Sequence, residues 1–422
     1  MRVFEVRGQH AEDPHYYASR APLLFLCVLF LWLNGFPASA NNGDIKTALQ
    51  PYVARHSIAG AVMLVASKER IVGLDTVGYA DLRARKEMRP DTLFWIASMG
   101  KPVAATALMM LVDEGRIRLD DPVEKYLREF RPAEMVLSAD KTRVELQQPR
   151  TAITLRDLLS HQSGIRYSSS LETAVLDRHP LALRVQSYAL EPLLFEPRTD
   201  FAYSDAGINT ISRVIEVVTG VDYATFLQQR IFRPLNMHDT TFWPTPEQVG
   251  RLAKSYTESA DGSGLNEVPI AELHYPLSDR KTRFPTAAGG LFSTAADLSQ
   301  FCRMLLNDGE FNGKRYISKK SLEEMTRNQL SVPARATFVE HASYGSKVNM
   351  PDGYGLGWYT AADGAFQHAG AYSTGMRVDP KQGIATIWLI QQAGRSPGST
   401  GAHDTFEELA KKLYGARKPS AE

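Results

Sequence analysis

The sequence has little cysteine, almost no net charge and no long apolar stretch, and each shortage excludes a class of protein. Two cysteines in 422 residues exclude a fold held together by many disulfides. The 48 Lys and Arg nearly balance 47 Asp and Glu, for a net charge of +1, and no Lys/Arg-rich segment is present. We therefore expect no nucleic-acid partner. An apolar run at 23–33 has 11 residues, fewer than the roughly 20 that cross a bilayer as a helix.

The same apolar run has the pattern of a secretory signal. It is followed by Pro37-Ala38-Ser39-Ala40, which contains an Ala-x-Ala cleavage site. We predict a signal peptide over 1–40 with an atypically long leader. The protein is then exported to the periplasm or the medium and has no stable membrane span after cleavage. An uncleaved signal that anchors the protein in the membrane is the alternative. Loss of Cys27 with the signal leaves Cys302 without a partner for an intrachain disulfide.

Strand-like segments lie at both ends of the mature chain, and helices lie between them. Apolar patterns predict strands at 59–66, 70–73, 354–359, 366–368, 375–378 and 384–390. Helical patterns lie at 44–56, 98–114, 155–159, 206–219, 223–231, 295–306 and 403–414, with Thr154 and Thr294 as caps. This order predicts an α+β fold (an α/β sandwich), in which an antiparallel sheet from the two chain ends is flanked by helices and a mostly helical lobe is inserted. Residues 41–422 then form a single two-lobed domain.

The segment Ser98-Met99-Gly100-Lys101 carries the clearest catalytic chemistry. Residues at i and i+3 share a helix face, so Ser98 and Lys101 project together. A serine hydroxyl becomes a nucleophile when a base takes its proton, and a lysine can do so when burial lowers its pKa. Apolar residues flank the pair on both sides, which places it at the edge of a core. An N-cap serine beside a solvated lysine is the alternative interpretation.

Two later segments supply further candidates. Tyr203-Ser204-Asp205 lies where a loop meets a helix, and a tyrosine beside a lysine can shuttle a proton because the cation lowers the phenol pKa. His368-Ala369-Gly370 ends a strand of the tail. There Gly370 permits close approach of a substrate, and the N–H of Ala371 can stabilise an oxyanion together with that of Ser98. Taken singly, these segments also fit structural roles, as a packing tyrosine and a surface histidine.

Together and in this order, the three segments resemble the penicillin-recognising serine hydrolases. Within that superfamily the chain is most similar to the group of class C β-lactamases, D,D-peptidases and β-lactamase-like carboxylesterases. Three further stretches are similar to stretches of the family: Leu158-Leu159-Ser160-His161-Gln162-Ser163-Gly164, Ala288-Gly289-Gly290-Leu291-Phe292-Ser293-Thr294 and Gly353-Tyr354-Gly355-Leu356-Gly357-Trp358. The resemblance covers about residues 45–415. It implies the serine β-lactamase/transpeptidase-like fold and an acyl-enzyme mechanism.

The resemblance also implies a role for each site residue. Ser98 is the acylated nucleophile, and Lys101 and Tyr203 share the general-base work. The backbone N–H groups of Ser98 and Ala371 hold the oxyanion. The remaining candidates, which support the site or bind substrate, are Asp205, His368 and Gly370. The ten histidines show no metal-binding spacing, and we expect neither a metal nor a cofactor.

The chain departs from the family at two positions. The family usually has Asn where this chain has Asp205, and an ionised Asp accepts hydrogen bonds but donates none. It also favours the charged form of Lys101, so we expect a larger share of the base work for Tyr203. Lactamases and D,D-peptidases commonly have Lys-Thr-Gly where this chain has His368-Ala369-Gly370, and a histidine is mostly neutral at pH 7.

Both departures favour neutral esters or small amides over lactams that carry a carboxylate. The predicted activity is therefore that of a carboxylesterase-like serine hydrolase with a small-molecule ester, amide or lactam as its partner. β-Lactamase, D-Ala-D-Ala carboxypeptidase or D-aminopeptidase activity is one alternative. A weakly catalytic ligand-binding or sensor module on the same fold is another, because a Lys101–Asp205 ion pair favours binding over turnover.

One motif points to a different enzyme class. Gly394-Arg395-Ser396-Pro397-Gly398 matches the Gly-x-Ser-x-Gly pattern of α/β-hydrolases. Such an enzyme needs an acid and then a histidine downstream, whereas only 24 residues follow Gly398 and the candidates His403 and Asp404 are adjacent. We interpret this motif as a loop.

Overall fold

Both ends of the chain contribute strands to one sheet. The structure is a computed structural model, and it describes residues 42–131, 133–139, 144–172, 175–342 and 351–416. The described strands are β1 Gly60–Ser67, β2 Ile71–Asp81, β3 Lys86–Glu87, β4 Phe94–Trp95, β5 Met135–Ala139, β6 Val144–Gln147, β7 Ser255–Glu258, β8 Leu265–Val268, β9 Phe292–Ser293, β10 Glu310–Phe311, β11 Lys314–Arg315, β12 Gly353–Tyr354, β13 Tyr359–Thr360, β14 Phe366–Ala369, β15 Gly375–Asp379 and β16 Ile384–Leu389. The described α-helices are α1 Asn42–Ala54, α2 Gly100–Asp113, α3 Leu155–Leu159, α4 Leu181–Ala189, α5 Asp205–Thr219, α6 Tyr223–Leu227, α7 Pro246–Arg251, α8 Ala295–Leu306, α9 Lys319–Thr326, α10 Val332–Ala342 and α11 Pro397–Tyr414.

The main sheet has eight strands in the order β12-β13-β14-β15-β16-β1-β2-β3. Neighbouring strands run antiparallel throughout. The two ends of the chain meet where β1 pairs with β16, with Val62 opposite Leu389 and Ser67 opposite Ile384. The predicted α+β fold, with an antiparallel sheet made from the two chain ends, is therefore confirmed.

Helices cover both faces of this sheet. Alternate residues of β1 pack on opposite sides: Ala61, Met63 and Val65 lie in the core formed with α1 and α11. Val62, Leu64 and Ala66 lie in the larger core that contains α2 and α8. Because both faces are covered, β1 is buried from Gly60 to Ala66, which explains its continuous apolar sequence.

The mostly helical part of the chain is inserted between β3 and β12. Its central helix, α2, is buried from Gly100 to Leu111, as expected for a helix that is apolar on all sides. Helix α5 packs against α2, α3 and α4. Helix α2 therefore contacts α5 of the helical lobe, and the turn directly before α2 contacts β14 of the sheet.

Predicted helix starts are confirmed where a capping side chain marks them. Helix α8 spans Ala295–Leu306 with Thr294 as its N-cap. Helix α3 begins at Leu155, and the side chains of Thr154 and Asp157 form a reciprocal capping box. In both helices a threonine hydroxyl accepts one of the unpaired N–H groups of the first turn.

Several predicted bounds were wrong. The strand predicted at 70–73 is longer, since β2 runs from Ile71 to Asp81. Helix α2 begins at Gly100 rather than near Ser98, because Ala97 has a φ of +44° and the first turn, Ala97–Met99, is a 3-10 helix. The predicted strand at 354–359 is two strands, since Gly357 has a φ of +74° and reverses the chain between them. Helix α11 begins at Pro397, six residues before the predicted start.

The predicted signal peptide over 1–40, including Cys27, lies outside the described residues. Within the described ranges, no helix has the length and apolarity that a membrane crossing requires. Cys302 lies on α8 and is fully buried, and burial raises the pKa of its thiol to about 12.

Candidate active site

Ser98 lies in the 3-10 turn between β4 and α2. Strand β4 pairs with β9, and the N–H of Ile96 donates to the carbonyl of Leu291 at 3.0 Å. This pairing fixes the segment before β9 beside the turn. Ala97, directly before Ser98, has a backbone conformation that residues other than glycine seldom adopt. Strain of this kind is concentrated at functional sites, and Ser98 beside it is half-buried.

Lys101 is completely buried, and its amine has three polar neighbours. Nζ lies 2.9 Å from Ser98 Oγ, 2.9 Å from the carbonyl oxygen of Ala288 and 2.7 Å from Asp205 Oδ1. It also lies 4.6 Å from the centroid of the Tyr203 ring. The amine donates one N–H to the carbonyl of Ala288 and forms an ion pair with Asp205, and it also faces the hydroxyl of Ser98.

Tyr203 and Asp205 flank the N-cap of α5. The hydroxyl of Ser204 accepts from the N–H of Gly207 at 2.9 Å and donates to the carbonyl of Arg166 at 2.7 Å. Asp205 is the first residue of a helix of 15 residues, where the positive end of the helix dipole favours a carboxylate. The Tyr167 side chain is half exposed, and the charge of Asp205 contributes to the raised pKa of its hydroxyl. The structure therefore gathers Ser98, Lys101, Tyr203 and Asp205 around one buried amine.

Burial decides the ionisation of the two candidate bases. It lowers the pKa of the Lys101 amine, and the charge of Asp205 opposes that shift. It also raises the pKa of the Tyr203 hydroxyl well above its ordinary value, and nearby tyrosines add to the increase. The expected lowering of the Tyr203 pKa is therefore wrong, because loss of hydration outweighs the other contributions. The larger share of base work that we expected for Tyr203 stays a prediction, and the directions of the two pKa shifts favour Lys101 instead.

His368 is placed differently from the prediction. Its side chain is buried, not on the surface. Nδ1 lies 2.9 Å from the carbonyl oxygen of Ala369, and Nε2 lies 3.3 Å from the hydroxyl oxygen of Tyr354. Burial, with a contribution from Lys101, lowers the pKa of His368 to about 3. The imidazole is thus neutral at pH 7, as expected, and both of its nitrogens contact protein groups.

Gly370 allows the end of β14 to lie against the turn that carries Ser98. A Cβ at this position would be 2.5 Å from the carbonyl oxygen of Ile96 and 2.3 Å from Thr374 Oγ1. Gly370 therefore permits a close approach of the protein's own backbone, and the predicted close approach of a substrate stays a prediction. The next residue, Ala371, is exposed. The contact with Ile96 brings the segment of Ala371 to the side of the Ser98 turn.

The sequence did not identify the groups that hold Lys101 in place. The side-chain oxygen of Asn209, on α5, accepts from Thr286 Oγ1 at 3.0 Å and from the N–H of Ala288 at 3.3 Å. Its amide donates to the hydroxyl of Tyr188 at 3.1 Å, which in turn donates to Glu172 at 2.8 Å. This buried network fixes the carbonyl that Lys101 contacts. The Ala288 segment was recognisable as a family stretch, but its partner Asn209 lies 79 residues away in the chain.

The rival motif around Ser396 has a structural role. Ser396 is the N-cap of α11, with Pro397 as the first helical residue, and its hydroxyl accepts from the N–H of Ser399 at 3.2 Å. Ser396 is buried and forms a capping box with Ser399. The interpretation of this motif as a nucleophile elbow is not supported. In the described part of the chain, no group of three or more His, Cys, Asp or Glu side chains is arranged to hold a metal ion.

Comparison with known proteins identifies the family of this chain. The family model described as Beta-lactamase matches residues 45–409. Penicillin-binding protein 4 of Amycolatopsis lactamdurans is 31% identical over 336 residues, which cover 78% of this chain and 79% of that protein. Esterase EstB of Burkholderia gladioli is 29% identical over 376 residues, which cover 80% and 86% of the two chains.

The fold is shared with a solved structure. EstCE1, described as a hydrolase with promiscuous acyltransferase activity, has a TM-score of 0.72 at 22% identity and covers 88% of this chain and 99% of its own. The family model spans most of the chain, from α1 to α11, and includes every candidate site residue from Ser98 to Ala371. The chain therefore belongs to the Beta-lactamase family, a family of hydrolases with the β-lactamase fold.

Proposed function

We propose that this protein is a serine hydrolase that acts through an acyl-enzyme on Ser98, with small esters or amides as substrates. One observation carries the proposal: the hydroxyl of Ser98 lies 2.9 Å from the amine of Lys101, which is completely buried. Burial of a lysine side chain destabilises the folded protein, so a lysine is seldom buried without a functional role. Its lowered pKa increases the fraction of neutral amine that can take a proton from serine.

Acylation begins when the neutral amine of Lys101 takes the proton of Ser98. Oγ of Ser98 bonds to the substrate carbonyl carbon, and the carbonyl oxygen becomes an oxyanion held by the N–H groups of Ser98 and Ala371. Tyr203 keeps its proton because its pKa is raised, so its hydroxyl can donate to the leaving group and be reprotonated from Lys101. When the bond to the leaving group breaks, an acyl ester on Ser98 remains. Water then attacks this ester with Lys101 again as the base.

The proposed preference for esters and small amides follows from the charges around Ser98. Asp205 can accept hydrogen bonds but cannot donate one to a substrate amide carbonyl. His368 is neutral at pH 7 and both of its nitrogens are engaged, so it supplies no fixed cation for a substrate carboxylate. Similarity to a protein named as an esterase supports this preference. The penicillin-binding relative keeps β-lactam or D-alanyl peptide hydrolysis as the alternative.

The test compares p-nitrophenyl butyrate with nitrocefin on the wild type, Ser98→Ala and Ser396→Ala. We expect a higher kcat/KM for the ester, a loss of at least ~10³-fold in Ser98→Ala, and unchanged activity in Ser396→Ala, which is the matched serine control. A fluorophosphonate should add one adduct to the wild type and none to Ser98→Ala by intact mass. Labelling that survives in Ser98→Ala would contradict the nucleophile, and a preference for nitrocefin would contradict the substrate class.

A second candidate rests on the ion pair between Lys101 and Asp205 at 2.7 Å. A carboxylate at this distance favours the charged amine, which cannot act as a base. If that effect dominated, both proton transfers would be slow and the site would bind its ligand but turn it over poorly, as a ligand sensor would. Time-resolved intact mass with the ester separates the two functions, because an accumulating acyl adduct without turnover identifies a sensor.

A further inference from the structure

A chain of hydrogen bonds runs from the segment of Tyr203 to the segment of Ala371 through three aromatic side chains. The N–H of Ser204 donates to His161 Nδ1 at 3.1 Å. His161 Nε2 lies 3.1 Å from the hydroxyl oxygen of Tyr354, and that oxygen lies 3.3 Å from His368 Nε2. His368 Nδ1 lies 2.9 Å from the carbonyl oxygen of Ala369. The three side chains are buried.

The two ends of this chain fix the direction of every bond. A backbone N–H can only donate, so Nδ1 of His161 is unprotonated and its proton is on Nε2, which donates to Tyr354. A backbone carbonyl can only accept, so Nδ1 of His368 carries a proton. The hydroxyl of Tyr354 then donates to Nε2 of His368. Each imidazole, and the hydroxyl of Tyr354, then donates one hydrogen bond and accepts one, and all three groups are neutral.

Because both ends are backbone groups, this chain cannot pass a proton through the site. Its effect is geometric. Ser204 follows Tyr203, whose ring lies 4.5 Å from that of His161, and Ala369 is two residues before Ala371. The chain therefore connects the start of α5, in the helical lobe, with the end of β14, in the sheet. The side chain of Tyr354, on strand β12, joins the two histidines.

We propose that His161, Tyr354 and His368 form a neutral hydrogen-bonded relay that sets the position of the Ala371 N–H relative to Ser98 and Tyr203. Tyr354 is the positioning residue, because it is the one member that accepts from one imidazole and donates to the other. This inference adds to the proposed function and rests on it, because the role of the Ala371 N–H as an oxyanion donor belongs to that proposal. Its hydrogen bonds can be tested without any substrate.

The first test reads the histidine tautomers of the full chain by long-range ¹H–¹⁵N correlation, with single histidine replacements for assignment. We expect His161 as the Nε2–H tautomer and His368 as the Nδ1–H tautomer in the wild type. Tyr354→Phe removes the hydroxyl that contacts both Nε2 atoms, so it should shift the ¹⁵N resonances of His161 Nε2 and His368 Nε2 while the two backbone ends keep the tautomers. Tyr359→Phe is the matched control, because that ring packs 4.8 Å from Tyr354 and 5.2 Å from His368 and should leave the hydrogen bonds of both Nε2 atoms unchanged. The opposite tautomers in the wild type, or equal Nε2 resonances in Tyr354→Phe and the wild type, would overturn the relay.

The second test is kinetic and uses p-nitrophenyl butyrate. An oxyanion donor acts in the transition state, so Tyr354→Phe should lower kcat and kcat/KM together by about tenfold or more and leave KM unchanged. His161→Gln should have a similar effect, and the double variant should be no worse than either single one, since both break the same relay. Multiplicative effects, or a change in KM alone, would overturn the positioning role. A wild type without esterase activity but with the expected tautomers would contradict the proposed function and leave the relay supported.

Discussion

At the residue scale, the amine of Lys101 is where burial and charge oppose each other. Burial lowers its pKa, whereas the carboxylate of Asp205 at 2.7 Å raises it. Proton transfer from Ser98 requires the neutral amine, so the activity should rise with pH through the pKa of Lys101. The side chain at position 205 therefore determines where the acidic limb of the pH–rate profile lies.

Asp205→Asn should move that acidic limb to lower pH. The substitution removes the charge that raises the Lys101 pKa, so the neutral fraction of the amine is larger at any pH below the limb. We expect kcat/KM for p-nitrophenyl butyrate to rise about tenfold there. Hydrolysis of amides or nitrocefin should also increase, because an asparagine can donate to a substrate carbonyl. The measurement is a pH profile of kcat/KM for both substrates.

The matched control is Asp222→Asn, which makes the same chemical change at the N-cap of another helix, α6. Asparagine caps helices about as well as aspartate, so this variant should keep the wild-type profile. An acidic limb that stays in place in Asp205→Asn would mean that Lys101 is not the base.

Site residues were predictable from the sequence where they lie close together along the chain, and not where they lie far apart. Ser98 and Lys101 are three residues apart, and helix geometry alone brings them together. Ala288 and Asn209 reach Lys101 only through β9 and α5, and a sequence pattern does not fix which carbonyl will face a buried amine. Tyr203 shows a further limit: its pKa depends on how much water the folded protein excludes, and burial reverses the direction that the neighbouring cation suggests.

At the element scale, the site depends on a close backbone contact between the end of β14 and the Ser98 turn. Gly370→Ala should break it, because the added Cβ would lie 2.5 Å from the carbonyl oxygen of Ile96. That oxygen belongs to backbone held by β4, so β14 must move away from Ser98. We expect kcat/KM for the ester to fall at least ~10²-fold, with a loss of stability of about 1–3 kcal/mol from overpacking, measured by kinetics and urea unfolding.

Gly264→Ala provides the comparison for this substitution. Gly264 lies in the hairpin between β7 and β8, and a Cβ there meets nothing within 4 Å. Its activity should equal that of the wild type. Full activity in Gly370→Ala would show that the end of β14 does not need to touch the Ser98 turn.

Elements were predictable where local chemistry determines them. Thr154 and Thr294 marked the starts of α3 and α8 correctly, because a capping hydroxyl acts on N–H groups two or three residues away. The start of α11 was missed, although Ser396 and Pro397 form a standard helix start, since the Gly-x-Ser-x-Gly pattern favoured a loop. The turn at Gly357 was missed because its reversal depends on packing: a Cβ there would lie 2.9 Å from the Cβ of Ala105 on α2.

At the scale of the whole molecule, the sheet and the helical lobe share one core. A continuous set of buried apolar side chains runs from Val62 on β1 through α2, α5 and α8 to Leu389 on β16. Neither lobe can therefore lose its packing without exposing part of the other. The sheet with its helical insertion was predictable from the order of strands and helices. The shared core depends on where α2 packs in the folded protein, and the sequence pattern does not predict that.

The shared core predicts one cooperative unfolding transition. Differential scanning calorimetry should show a single peak whose van't Hoff and calorimetric enthalpies agree, with an enthalpy on the order of 250 kcal/mol near 60 °C from about 0.7 kcal/mol per residue. Ser98→Ala should give the same peak shape, because it removes one half-buried hydroxyl. Two resolved transitions would mean that the lobes are independent folding units.

The pairing of β1 with β16 has a consequence for the order of events on the ribosome. Ser67 and Leu389 are about 320 residues apart, so at ~5–20 residues per second roughly 16 to 64 s pass between the synthesis of the two strands. During that interval β1 can pair with β2 on one side only, and its other edge, with a nearly continuous apolar sequence, stays open. Such an edge is a template for pairing with other chains. A nascent or truncated chain that ends before β16 should therefore depend on chaperones until the last strand closes the sheet.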